Sequence, residues 1–254
     1  MITSFSDVFA ELKEKGICKK MVAAWAVDEH TIEAASKAVD MGFITATLVG
    51  DAKLINEVCA KNGIDAGKFE IVDNPDELKA VLDSPNYHKL LFLTDMAVVP
   101  LPDFRQKMKL TNFVVKVAKS FGIEKPKVAF IAASEQVLDS MPACMEAAAL
   151  AKMADRGQIK GCIADGPLAL DVAIDKESVE IKKLTSPVAG DADCLVFPNI
   201  ESANVFWKTN SKLAPGVRQA GMLVGTTAPC ILASRADSVD TKLNSIAEAV
   251  MSVK

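Results

Sequence analysis

Ile231-Leu232-Ala233-Ser234-Arg235-Ala236-Asp237-Ser238-Val239-Asp240 gathers two hydroxyls, a guanidinium and two carboxylates into one short span. The preceding apolar residues, from Cys230, read as the end of a short buried strand. Beyond the span, Leu243, Ile246, Ala247 and Val250 recur at the spacing of one helix face. A strand feeding a helix through such a turn aims backbone N–H groups, the positive end of the helix dipole and a guanidinium at one point. That arrangement suits a phosphate group. A structural reading competes with it: Asp237 or Ser238 caps the last helix and Arg235 makes a surface ion pair.

Other polar turns follow apolar runs. Asp165-Gly166-Pro167-Leu168-Ala169-Leu170-Asp171 combines a glycine that lets backbone approach a ligand with two aspartates spaced across a turn. Asp165 and Asp171 are candidates for substrate contact and equally for helix capping. Ser186-Pro187-Val188-Ala189-Gly190 is a small-residue loop that a ligand could approach closely. Phe197-Pro198-Asn199-Ile200-Glu201-Ser202 places Asn199 and Ser202 just past a strand, as ligand contacts or as caps. The glycine signatures of dinucleotide and P-loop sites are absent. Cys162, Cys194 and Cys230 lie in apolar runs, where a thiolate is disfavoured.

The elements that must position these turns alternate. Strands are expected at 21–27, 46–49, 69–72, 89–94, 128–132, 159–164, 195–197 and 223–224. Helices are expected at 5–15, 30–41, 52–62, 76–82, 103–121, 142–153 and 201–208, several of them stopped by a glycine. Apolar strands without polar alternation, separated by helices, predict a mostly parallel α/β fold with helices on both sheet faces. In such sheets ligands bind beyond the carboxyl ends of the strands.

Composition narrows the class. Acidic residues number 33 and basic residues 29, mixed along the chain with no basic run, which argues against nucleic acid. Six cysteines without a CxxC pair read as reduced, buried small hydrophobes. The only histidines, His30 and His88, form no metal-ligand cluster. With no signal core and no apolar run of membrane length, the chain reads as soluble and cytoplasmic.

Taken in order, the blocks Lys89–Asp95 (KLLFLTD), Lys152–Gly161 (KMADRGQIKG), Asp165–Asp171, Ser186–Gly190, Phe197–Ile200 and Ser234–Ser238 resemble the phosphate acetyl/butyryltransferase family, most closely its butyryl branch. The resemblance runs from about residue 89 to the C-terminus. It implies reversible conversion of a short-chain acyl-CoA and phosphate to acyl phosphate and coenzyme A. It also implies a two-domain α/β/α architecture like that of isocitrate and isopropylmalate dehydrogenases. One domain would comprise 1–80 with 224–254, the other the inserted 81–223, with the site in the cleft between them.

By the same resemblance, Ser234 and Arg235 bind phosphate or the acyl oxygen. Asp165, Gly166, Asp171, Ser186, Gly190, Asn199 and Asp237 are candidates for substrate contact. No metal or tightly bound cofactor is implied, coenzyme A being substrate and product, and a homodimer is suggested. Acetyltransferase members read Ser-Arg-Gly-Cys-Ser-Val-Glu-Asp here, which puts their general base at Thr241. Only the neighbouring Asp240 is acidic, so Asp240 is the candidate base, with Asp237 second. Family members also carry roughly forty to fifty more residues just before 83–89. Two other readings stay open: a metal-dependent hydroxy-acid dehydrogenase of the same fold, and a non-catalytic remnant that binds coenzyme A.

Overall fold

The computed structural model describes residues 2–24, 28–49, 52–72, 81–96, 99–223, 230–231, 234 and 237–252. Its elements in chain order are α1 (Phe5–Glu14), β1 (Lys19–Ala24), α2 (Glu29–Asp40), β2 (Ile44–Val49), α3 (Ala52–Lys61) and β3 (Phe69–Val72). Then come β4 (Val81–Asp83), β5 (Leu91–Thr94), α4 (Phe104–Ser120), β6 (Lys127–Ile131), α5 (Pro142–Asp155) and β7 (Ile163–Leu168). The remainder is α6 (Leu170–Ile174), α7 (Lys176–Ile181), β8 (Cys194–Val196), α8 (Ile200–Leu213), β9 (Arg218–Ala220), β10 (Met222–Leu223), β11 (Cys230–Ile231) and α9 (Val239–Ser252).

These elements form two compact units, one of Ile2–Val81 with Arg218–Lys254 and one of Leu82–Val217. In the first, β1, β2 and β3 lie side by side and parallel, with Lys19 opposite Ile44 and Ala46 opposite Phe69. Helix α9 packs on α2, α1 and β9. In the second, the sheet runs β7-β6-β8-β5-β4, and β7, β6, β8 and β5 are parallel neighbours. Every residue of β8 and all but one residue each of β5 and β6 are buried. A strand wet on one face would alternate, so their continuous apolar sequence reflects a sheet covered on both faces. Phe92 and Phe121 meet edge to face within this core, centroids 5.3 Å apart.

Local signals set the helix starts. Asp103 Oδ1 accepts the Gln106 N–H at 2.7 Å while Gln106 Oε1 accepts the Asp103 N–H at 2.8 Å, a reciprocal cap that opens α4. Ser4 and Asp7 do the same for α1.

Three expectations need correction. Asp165-Gly166-Pro167 is not a turn after a strand but the middle of β7. Proline offers no N–H to a ladder, and β6 answers with a register shift between Ala129 and Ile131 that accommodates it. Val81 and Leu82 belong to strand β4 rather than to a helix over 76–82, of which residues 76–80 lie outside the described residues. β11 pairs antiparallel with β10, Leu223 opposite Cys230, so the hairpin before the Ser234 turn departs from the parallel pattern. The expected strand residues Trp25, Ala26, Val27 and Val224 also lie outside the described residues. Cys18 is exposed, whereas Cys59, Cys144 and Cys194 are buried.

Candidate functional site

The Ser234–Asp240 turn is held from inside. The Ser234 N–H donates to Asp237 Oδ2 at 2.6 Å, and the Asp237 N–H donates back to the Ser234 carbonyl at 3.0 Å. Asp237 is therefore buried and occupied within the turn. Ser238 opens α9 by accepting the Thr241 N–H at 3.2 Å. Asp240 stands exposed in the first turn of α9, where a carboxylate also suits the helix dipole. Arg235 lies outside the described residues.

The amino end of α2 braces this turn. His30 Nδ1 is 2.9 Å from the Asp237 carbonyl oxygen. Asp28 caps α2 by accepting the Thr31 N–H at 3.0 Å, and its carboxylate also meets the buried Lys242 ammonium of α9. Lys242 donates in addition to Thr31 Oγ1 at 2.9 Å. Burial alone would raise the Asp28 carboxyl, but Lys242 and Thr31 hold it below its ordinary value.

In the other unit, parallel strands put their carboxyl ends on one edge. There Asn199 caps α8 by accepting the Ser202 N–H at 2.9 Å, and the Phe197 N–H donates to the Thr94 carbonyl at 2.9 Å. Asp165 Oδ1 accepts the Gly166 N–H at 2.8 Å. A Cβ at Gly166 would lie 2.7 Å from Phe130 Cβ, so close packing against β6 demands glycine there. Asp171 pairs with Lys182 at 2.8 Å, and Lys182 reaches Glu135 at 2.9 Å. The Lys182 ammonium holds the Asp171 carboxyl below its ordinary value. Ser186 Oγ accepts the N–H groups of Val188 and Ala189, each at 3.1 Å. The Gly190 N–H donates to the Val172 carbonyl at 2.7 Å.

Each unit therefore carries one set of these residues. Ser234, Asp237 and Asp240 share one turn and helix start, while Asp165 lies in β7, Asp171 just after it, and Asn199 just after β8, with β6 between the two strands. Among the described residues, each of these except Asp240 also has a structural partner.

Sequence reasoning missed three features. His30 gave no signal beyond its place in the first helical turn. Lys182 sits in a polar stretch and is recognisable only once Asp171 and Glu135 converge on it. Lys107 did leave a trace: it falls on the α4 face that buries Thr111, Val114 and Ala118. It is 5% exposed, its ammonium meets Glu146 of α5, and both line a small cavity with Phe130, Val196 and Phe197. Among the described residues no group of three or more His, Cys, Asp or Glu is placed to hold a metal ion. No described helix is long and apolar enough to cross a membrane.

Comparison with known proteins sets these turns in a family. The profile described as Phosphate acetyl/butaryl transferase matches residues 80–250. The chain is 39% identical to the phosphate butyryltransferase of Clostridium acetobutylicum over 298 residues, covering 99% of this chain and 98% of that one. It is 35% identical to the phosphate acetyltransferase of Rhizobium meliloti over 277 residues, covering 91% and 87%. The fold resembles that of a branched-chain phosphotransacylase from Enterococcus faecalis V583, with a TM-score of 0.75 at 21% identity, over 93% of this chain and 99% of that one. With a profile match over most of its length and such identity to curated members, the chain belongs to the phosphate acetyl/butaryl transferase family.

Proposed function

We propose that this chain is a phosphate acyltransferase that converts a short-chain acyl-CoA, butyryl-CoA foremost, and phosphate reversibly to acyl phosphate and coenzyme A. The observation that carries this reading is the 39% identity to a phosphate butyryltransferase along nearly the whole of both chains. A phosphate oxygen attacks the thioester carbonyl carbon, the resulting oxyanion collapses, and the C–S bond breaks to release the thiolate. This chemistry asks for positioning and fixed donors. Ser234 and Arg235 hold phosphate or the acyl oxygen. Asp240 takes the thiol proton in the reverse direction, since it is exposed while the Asp237 carboxylate is engaged by the Ser234 N–H. Asp165, Gly166, Asp171, Ser186, Gly190 and Asn199 shape the acyl-CoA subsite in the other unit, and coenzyme A serves as substrate rather than as a resident cofactor. The two units correspond in this reading to the domains of an isocitrate/isopropylmalate dehydrogenase-like α/β/α fold, in a cytoplasmic homodimer.

The test is CoA release from butyryl-CoA and acetyl-CoA, followed with a thiol reagent, with and without phosphate. Phosphate-dependent release, faster with butyryl-CoA, is expected. Arg235→Ala should lower kcat/KM by about 100-fold or more, as for loss of a charged donor to the reacting group, without lowering Tm. Release that ignores phosphate, or a fully active Arg235→Ala, would overturn the assignment.

One observation favours a second reading, a CoA-binding protein without turnover. The 298-residue alignment is longer than the 254-residue chain, so in at least 44 positions the Clostridium acetobutylicum protein has residues that this chain lacks. Calorimetry showing CoA binding by a folded protein that releases no CoA from either thioester would select it.

A further inference from the structure

The turn that the proposed reaction would use is tied to a helix distant in sequence by one side chain. His30 lies 207 residues before Asp237, yet its Nδ1 sits 2.9 Å from the Asp237 carbonyl oxygen. A carbonyl only accepts, so Nδ1 carries the proton and donates. The same Asp237 accepts the Ser234 N–H through its carboxylate at 2.6 Å and returns its own N–H to the Ser234 carbonyl at 3.0 Å. A continuous chain of hydrogen bonds thus runs from the first turn of α2, through both oxygen-bearing groups of Asp237, to the backbone of Ser234. The base of α2 is itself anchored, because Lys242 of α9 holds both Asp28 and Thr31. Asp237, and through it Ser234, is consequently gripped from α2 as well as by the bonds between the two residues.

We propose that His30 is a positioning residue, which sets the orientation of Asp237 and Ser234 and so the placement of the phosphate-holding Ser234; the kinetic part rests on the phosphate acyltransferase reading. Donation from Nδ1 is available to the neutral ring and to the imidazolium alike, so the role does not require a change in protonation. The two carboxylates that precede His30 in sequence are paired elsewhere, Glu29 with Lys61 of α3 and Asp28 with Lys242 of α9. An asparagine at position 30 can supply an N–H from a similar place, whereas alanine cannot.

The experiment compares His30→Ala and His30→Asn with the full-length wild type in two measurements. In His30→Ala, KM for phosphate should rise about 5- to 10-fold, the value of one modest hydrogen bond, with KM for acyl-CoA unchanged. Most of that loss should return in His30→Asn, with an unaltered pH profile of kcat/KM. Amide hydrogen exchange at Ser234 and Asp237 should quicken by a similar factor in His30→Ala and recover in His30→Asn. Wild-type exchange rates in His30→Ala would overturn the proposal. So would a His30→Asn protein as impaired as His30→Ala that has lost one limb of the pH profile, which would make His30 a proton acceptor instead. Because exchange is read without turnover, an inactive wild type would refute the enzymatic reading while the exchange rates still decide the role of His30.

Discussion

Glu248 offers the sharpest test of the energetic reasoning. It lies in α9, whose residues 242–250 are all buried, and is itself 1% exposed. Among the described residues its Oε2 has no hydrogen-bond partner. Burial pushes its carboxyl well above the ordinary glutamate value of 4.5, so the folded chain holds a proton that the unfolded chain has released. Stability is then fully present below pH 4.5 and falls as pH rises toward the raised value. The slope is about 1.4 kcal/mol per pH unit for one proton. Methionine fills a similar volume with neither the unsatisfied oxygen nor the ionisation. At pH 4.5, Glu248→Met should gain about 1–3 kcal/mol from the removed unsatisfied oxygen. Above pH 4.5 the gain should widen, by up to about 1.4 kcal/mol for each pH unit short of the raised value. For a chain of this length each kcal/mol of that widening corresponds to a further rise in Tm of about 2–4 °C. Thermal unfolding of both proteins at pH 4.5, 5.5 and 6.5 measures it, with Glu248→Gln as the variant that removes ionisation but keeps a polar tip. A gap that does not widen with pH, or a destabilised Glu248→Met, would refute the argument.

Other outcomes follow from the same physics. Gly166→Ala should cost about 1–3 kcal/mol, because the new Cβ meets Phe130 Cβ at 2.7 Å and the Phe130 carbonyl oxygen at 3.1 Å, and an unchanged Tm would show that β6 yields freely. The Lys107–Glu146 pair should respond asymmetrically. Glu146→Ala strands a buried ammonium and should cost about 3–5 kcal/mol in a denaturant titration, while Lys107→Met leaves a carboxylate whose side chain is 36% exposed and should stay within about 1 kcal/mol of wild type. Equal losses would mean that the pair acts as packing rather than as charge. Burial alone would raise the Asp191 carboxyl, but Lys127, Lys89 and His88 hold it well below the ordinary carboxylate range. Its stabilisation is present above pH 3.8 and lost as pH falls below that, so the stability gap between wild type and Asp191→Asn should narrow between pH 4 and pH 2. A constant gap would contradict the ion-pair account.

Much of the fold is legible in the sequence itself. Runs such as Leu91–Thr94 and Val128–Ile131 have no polar alternation because both faces of their sheet are covered, and the glycines at 42, 63 and 122 stop helices where sequence reading placed the stops. What misled was local. Asp165-Gly166-Pro167 reads as a turn from its residue types, and only the register shift opposite it lets those residues stay in β7. Helices α6 and α7 are short, and their brief apolar stretches show no periodicity long enough to detect.

For the candidate site the division is similar. Ordered blocks of sequence sufficed to point to the phosphate acetyl/butyryltransferase family, and Ser234, Arg235 and Asp240 became candidates because residue type and spacing along one turn are local properties. Which of those groups are already engaged was not local. That Asp237 is occupied by Ser234, that His30 reaches the same turn from 207 residues away, and that Lys107 of α4 finds Glu146 of α5 depended on packing. Hydrogen bonds and ion pairs between remote segments exist only after the hydrophobic core has set the separations between elements, so no spacing in the sequence could announce them.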